Sequence, residues 1–202
     1  MNYRGFKQYN DLTILVLIAI NVVLFIIQQA RPDLVQMLDL TTSKWTSEPW
    51  TLITCLFMHA GYFHIIFNML ALYFLGSYLC RLVGDRWFLA IYLIGGIAGS
   101  FLFILLGDGI VVGASGAIFA VGGAFAVIAP QLRVIIFPIP APVPLWAAMI
   151  GIFIILTVIP MASPGSAIAW QAHLGGFIVG LALGYYLRRW RRANLWQSRF
   201  MR

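Results

Sequence analysis

Charge is what this chain has least of. Its six acidic residues are Asp11, Asp33, Asp39, Glu48, Asp85 and Asp108, and all fall outside the apolar runs or at their edges. A transporter that couples to protons or cations needs a carboxylate in mid-membrane, and an aspartyl protease needs two facing acids; this chain offers neither. Histidine occurs three times, at His59, His64 and His173, and never in the H-E-x-x-H spacing of a zinc protease. No metal and no other cofactor is expected. Cys55 and Cys80 are too few and too unpatterned for a disulfide framework or a metal site. Internal repeats, low-complexity tracts and the alternation of a barrel strand are also missing.

Apolar residues are plentiful. They make up 62% of the 202 residues, and the mean hydropathy is +0.93. A soluble domain of this length has no room to hide so much apolar surface, so the solvent is lipid. Six runs approach or reach the ~20 residues that cross a bilayer. They lie near 12–29, 62–80, 87–106, 112–129, 143–160 and 167–187. Backbone hydrogen bonding in lipid makes each a helix. The first run has no A-x-A cleavage pattern and reads as a retained span. The expectation is one all-α polytopic membrane domain over 1–202, a bundle of six transmembrane helices.

The basic residues orient it. With a cytoplasmic N-terminus, the inner segments carry Arg4, Lys7, Arg81, Arg86, Arg133, Arg188, Arg189, Arg191, Arg192, Arg199 and Arg202, leaving Arg31 and Lys44 outside. That asymmetry places both termini in the cytoplasm. The arginine-rich tail then reads as a topology anchor that also touches anionic lipid, and no nucleic-acid partner is expected. The expected location is a prokaryotic plasma membrane. The loop from Ala30 to Gly61 carries Trp45, Trp50, Phe57 and Met58 among polar residues, as a segment lying at the outer interface would. Pro138, Pro140, Pro142 and Pro144 mark a stiff cytoplasmic turn.

Topology turns scattered polar residues into a constellation. The second, fourth and sixth runs all travel from outside to inside. His64 lies near the start of the second, Ser115 about a turn into the fourth, and His173 about two turns into the sixth. At 1.5 Å rise per residue, all three fall within about 10 Å of the outer rim. Ala172, Gly176, Gly180 and Gly184 repeat every four residues, as do Gly116, Ala120 and Ala124. Such small-residue faces let helices approach closely. Ser115 and His173 flank that seam, so an imidazole stands within reach of a hydroxyl, as an activated serine requires. His64 and Asn68, four residues apart, share a helix face and can donate to an oxyanion with the Ser115 amide. A G-x-S-G segment alone is ordinary packing; the joint placement carries the reading. His59 is expected to position the loop, and Gly95, Gly96, Gly99 and Ser100 to pack.

At these residues the chain resembles the rhomboid family of intramembrane serine proteases, over nearly its whole length. His64 to Asn68 (H-I-I-F-N) is similar to the family's H-x-x-x-N, Gly113 to Gly116 (G-A-S-G) to its G-x-S-G, and Ala172 to Gly176 (A-H-L-G-G) to its A-H-x-x-G. The resemblance implies Ser115 as nucleophile and His173 as general base, with His64, Asn68 and the Ser115 amide as oxyanion hole. It implies single-span membrane proteins as substrates, cut near the outer surface, and Phe67 as a substrate-gate side chain facing the fifth helix. Two positions depart from the family: Trp50-Thr51 stands where Trp-Arg is common, and Phe119 where some members stack a tyrosine on the histidine. The alternative is a non-catalytic rhomboid-like binder of membrane clients. For lateral access, the C-terminal end of the fifth helix (Leu156 to Pro160) and the Met161–Ser166 loop are expected to move.

Overall fold

Lipid as solvent inverts the usual amphipathic pattern, and the first helix displays the inversion. In the computed structural model, which describes residues 11–136, 140–163 and 167–200 (side chains to 190), α1 spans Leu12–Ala30. Val16, Ile20, Val23 and Ile26 face outward, while polar Asn21 and Gln28 are buried alongside Ile14, Leu17 and Phe25. A helix in water would do the reverse. With Arg4, Lys7, Pro138, Pro164, Gly165, Arg202 and the side chains of Arg191, Arg192 and Arg199 lying outside the described residues, the fold is read from the rest.

The loop after α1 is built rather than slack. It holds a short helix α2 (Asp33–Leu38), strand β1 (Leu40–Thr41), and α3 (Thr51–Thr54) running into a tight turn at Cys55–Phe57. Leu40, Cys55 and Leu56 bury themselves with Phe103 in a small apolar cluster, with Trp45 and Leu52 packed against it. Where an arginine might brace the loop, Thr51 Oγ1 donates to the Glu48 carbonyl at 2.6 Å and Thr54 Oγ1 to the Leu38 carbonyl at 2.8 Å.

The remaining long helices are α4 (Tyr62–Val83), α5 (Asp85–Leu106), α6 (Ser115–Ile128), α7 (Leu145–Met161) and α8 (Trp170–Phe200). The result is an all-α membrane bundle. Among the described residues α1, α4 and α5 are long and apolar enough to cross a membrane, and α6 and α7 are shorter apolar helices. At fourteen residues α6 is roughly 21 Å long. It is the axis of the bundle, buried at every position from Gly116 to Ala126. One π turn interrupts α4 at Leu72–Gly76, and another interrupts α7 at Ile154–Val158.

Two short antiparallel ladders finish the connections. In the first, β1 pairs with β2 (Ile110–Val111), Leu40 opposite Val111; in the second, β3 (Arg133–Val134) pairs with β4 (Val143–Pro144), Val134 opposite Val143. The first ladder alters the sequence expectation for the fourth run. Together with the bond from the Gly113 amide to the Cys55 carbonyl (2.8 Å), it holds the approach to Ser115 out of the helix. The helix of the 112–129 run therefore begins at Ser115 itself, not a turn earlier. Likewise α8 begins at Trp170, so His173 lies one turn inside it rather than two.

Small residues set the central spacing. A Cβ on Gly176 would collide with the Gly116 carbonyl oxygen, one on Gly180 with that of Ala120, and one on Gly184 would come to 2.7 Å from Ala124 Cα. On the neighbouring side, a Cβ on Gly99 would reach 2.5 Å from the Ala172 carbonyl oxygen. Thus α5, α6 and α8 touch backbone to backbone. At the far end Arg188 Nη1 donates to the Val127 carbonyl (3.0 Å), a cation on the last turn of α6. Asp11 and Arg81 form a bidentate ion pair, and Thr13 Oγ1 donates to Asp85 (2.7 Å), joining the start of α1 to the α4–α5 connection.

Candidate active site

Because α6 starts at Ser115, its side chain stands at the helix N-terminus. The first-turn amides there have no intrahelical acceptor and the helix dipole presents its positive end. Ser115 Oγ lies 2.9 Å from His173 Nε2. The close α6–α8 contact at Gly116, Ala172 and Gly176 produces this pairing, since any larger residue there would push the two helices apart. The other ring nitrogen, His173 Nδ1, lies 2.8 Å from the Leu156 carbonyl oxygen on α7. A carbonyl only accepts, so Nδ1 carries the proton of the neutral ring and Nε2 is left as acceptor for the serine hydroxyl. Phe119, one turn after Ser115, packs its ring on the imidazole with centroids 4.5 Å apart and planes tilted by 32°.

His64 reaches the same helix start from α4. The Ala60 amide donates to its Nδ1 (3.3 Å), which places the proton of the neutral ring on Nε2. That Nε2 lies against Gly113: a Cβ added there would sit 2.7 Å from it. Gly113 also has φ +125°, in the region that L side chains avoid, so two independent reasons require glycine two residues before Ser115. Asn68 is buried beside His64, yet one of its amide hydrogens is used within its own helix, Nδ2 donating to the His64 carbonyl at 2.7 Å. A single Nδ2 hydrogen is left for anything else. Phe67 is 66% exposed on the outward face of α4.

Three parts of the site were not foreseen. The Leu156 carbonyl is one. The second is the contact of His59 with His64, ring centroids 5.1 Å apart, in an edge-to-face arrangement. The third is a clamp from α1: Gln28 Nε2 donates to the His59 carbonyl (2.5 Å) while the His59 amide donates to Gln28 Oε1 (3.2 Å). The sequence held a signal for the clamp, because Asn21 and Gln28 are seven residues apart, hence on one face of an otherwise apolar helix. No group of three or more His, Cys, Asp or Glu side chains among the described residues is disposed to hold a metal.

A serine at a helix start, an imidazole from a second helix and a donor imidazole from a third can carry out acyl transfer. The family model for the Rhomboid domain matches residues 46–190. The chain belongs to the rhomboid family. It is 29% identical over 201 residues to the yeast Rhomboid protein 1, mitochondrial (Saccharomyces cerevisiae), covering 93% of this chain and 56% of that one. It is 34% identical over 149 residues to RHOMBOID-like protein 1 of Arabidopsis thaliana (73% and 37%), and 35% identical over 136 residues to the rhomboid protease GluP of Bacillus subtilis (66% and 25%). The chain thus spans about half or less of these relatives' lengths. Its apolar helices make it an integral membrane protein, while relatives from a mitochondrion, a plant and a bacterium do not select one membrane.

Proposed function

We propose that this rhomboid is an active endopeptidase in which Ser115 and His173 form a catalytic dyad. The observation that carries the reading is the 2.9 Å approach of His173 Nε2 to Ser115 Oγ from a different helix, with Nε2 the unprotonated nitrogen. As the Ser115 oxygen bonds to the scissile carbonyl carbon, Nε2 takes the hydroxyl proton, and the carbonyl π electrons move to its oxygen. His64 Nε2–H, the remaining Asn68 hydrogen and the first-turn amides of α6 would receive that oxyanion. The imidazolium returns its proton to the departing amine as the C–N bond breaks. Water, deprotonated by the same nitrogen, then bonds to the acyl carbon, and the imidazolium returns the proton to Ser115 Oγ as the ester bond breaks.

The substrate class is a single-span membrane protein. A fully hydrogen-bonded helix in lipid hides its carbonyls, so the segment to be cut has to unwind before attack, which favours small or helix-breaking residues near the membrane surface. Access between α4 and α7 is supported by α7 packing on α6 and α8 and by the outward exposure of Phe67, the candidate gate side chain. Cytoplasmic termini rest on the distribution of arginines alone. A prokaryotic plasma membrane is part of the same reading, although the mitochondrial and plant relatives do not favour it.

The test is cleavage of a model single-span substrate by purified protein, with fluorophosphonate labelling in parallel. Ser115→Ala should lower cleavage at least about a thousandfold and abolish labelling. Equal cleavage by both proteins would eliminate the dyad, and wild-type protein that neither labels nor cleaves would point to a client binder.

A further inference from the structure

One acceptor in the site has a physical peculiarity. In a regular α-helix the Leu156 carbonyl would accept from the amide of residue 160, but residue 160 is proline and has no N–H. The carbonyl sits inside the π turn Ile154–Val158, where helical pairing is already displaced. Its oxygen lies 2.8 Å from His173 Nδ1. The same stretch of α7 is seated by aromatic contacts on both flanking helices. Phe153 stacks on Phe177 of α8 (4.6 Å, 20°) and meets Phe119 of α6 edge-on (6.0 Å, 81°), and Phe119 is the ring lying on His173.

We propose that the Leu156 carbonyl, denied its α-helical donor by Pro160, is the positioning group for His173, and that it holds the imidazole in its acceptor tautomer only while the C-terminal half of α7 is seated. The dyad has no carboxylate to orient its base; a main-chain dipole takes that part. The helix that supplies it is also the wall the substrate has to pass. Displacing α7 to admit a substrate withdraws the acceptor from Nδ1, and reseating α7 restores it. Chemistry is therefore delayed until the wall has returned. This rests on the dyad reading, which the test below separates from it.

Pro160→Ala restores an N–H four residues beyond Leu156 and so competes for its carbonyl. A second variant replaces Thr157 by its α-hydroxy acid analogue. This turns the Leu156 carbonyl into that of an ester, a poorer acceptor, and leaves every side chain in place. The readouts are the 15N spectrum of His173 above neutral pH, assigned by difference from His173→Ala, and the separate kcat and KM for a peptide substrate. We expect an Nδ1-protonated ring in the wild type and a reduced share of that tautomer in both variants. kcat should fall about tenfold with KM held within about twofold. An undiminished Nδ1-protonated signal in both variants, or a change confined to KM, overturns the proposal. Wild-type protein that cleaves nothing, yet whose His173 loses its Nδ1 proton in the variants, would retire the dyad reading and leave the positioning contact standing.

Discussion

His59 is kept where its own charge is unwelcome. It is 1% exposed, its backbone is held by Gln28, and among the described residues neither ring nitrogen has a partner within good hydrogen-bond geometry. Burial first, and the neighbouring His64 ring second, push its pKa down to about 4 from 6.5; the Phe57 carbonyl pulls weakly the other way. The folded protein thus binds fewer protons than the unfolded chain between those two values. Its stabilising share is complete above about pH 6.5 and is lost as the pH falls toward 4, by at most about 3 kcal/mol. His59→Asn should flatten the fall of the thermal midpoint between pH 7 and pH 4.5, and an unchanged slope would show that other groups carry it. That His59 belongs to the loop was legible from its place before the second helix. Its contact with His64 was not, because Gln28, which fixes the loop, comes from a helix 31 residues away.

Among the helices, the α6–α8 seam positions the candidate dyad. Replacing an exposed helical glycine by alanine usually gains up to about 1 kcal/mol. At Gly151, with no atom of the described residues within 4 Å of the new Cβ, that gain should appear as a small rise in thermal midpoint. At Gly176 the same change drives a methyl into the Gly116 carbonyl, one residue from Ser115. The overpacking cost of about 1–3 kcal/mol then prevails. Gly176→Ala should lower the midpoint and cut fluorophosphonate labelling at least about tenfold, whereas Gly151→Ala should leave labelling intact. Full labelling of Gly176→Ala would mean that the seam tolerates more separation than its geometry allows. The small-residue period of four was readable because lipid leaves packing as the main force between helices. The start of α6 was not readable to within a turn, because a ladder between two distant loops decides it.

Taken whole, the bundle has a tightly packed half of α5, α6 and α8, and a helix, α7, that leans on it. A cysteine pair bridging α4 and α7 should reduce cleavage of a single-span substrate at least about tenfold while sparing fluorophosphonate labelling. Native Cys55 and Cys80 are free but buried and would not interfere. Undiminished cleavage would rule out access between those helices.

What the chain determines alone is the solvent it folds in, the helical class and the identity of the residues that converge. Hydropathy, the period of small residues and the spacing within H-I-I-F-N, G-A-S-G and A-H-L-G-G are local quantities, and a one-dimensional reading captures them. Tertiary structure alone decided which lone pair meets which proton. The protonated nitrogen of His173 is set by a carbonyl on α7, and that of His64 by the Ala60 amide. Hydrogen bonds depend on angles and tenths of an ångström between separate helices, and these exist only once the bundle has closed.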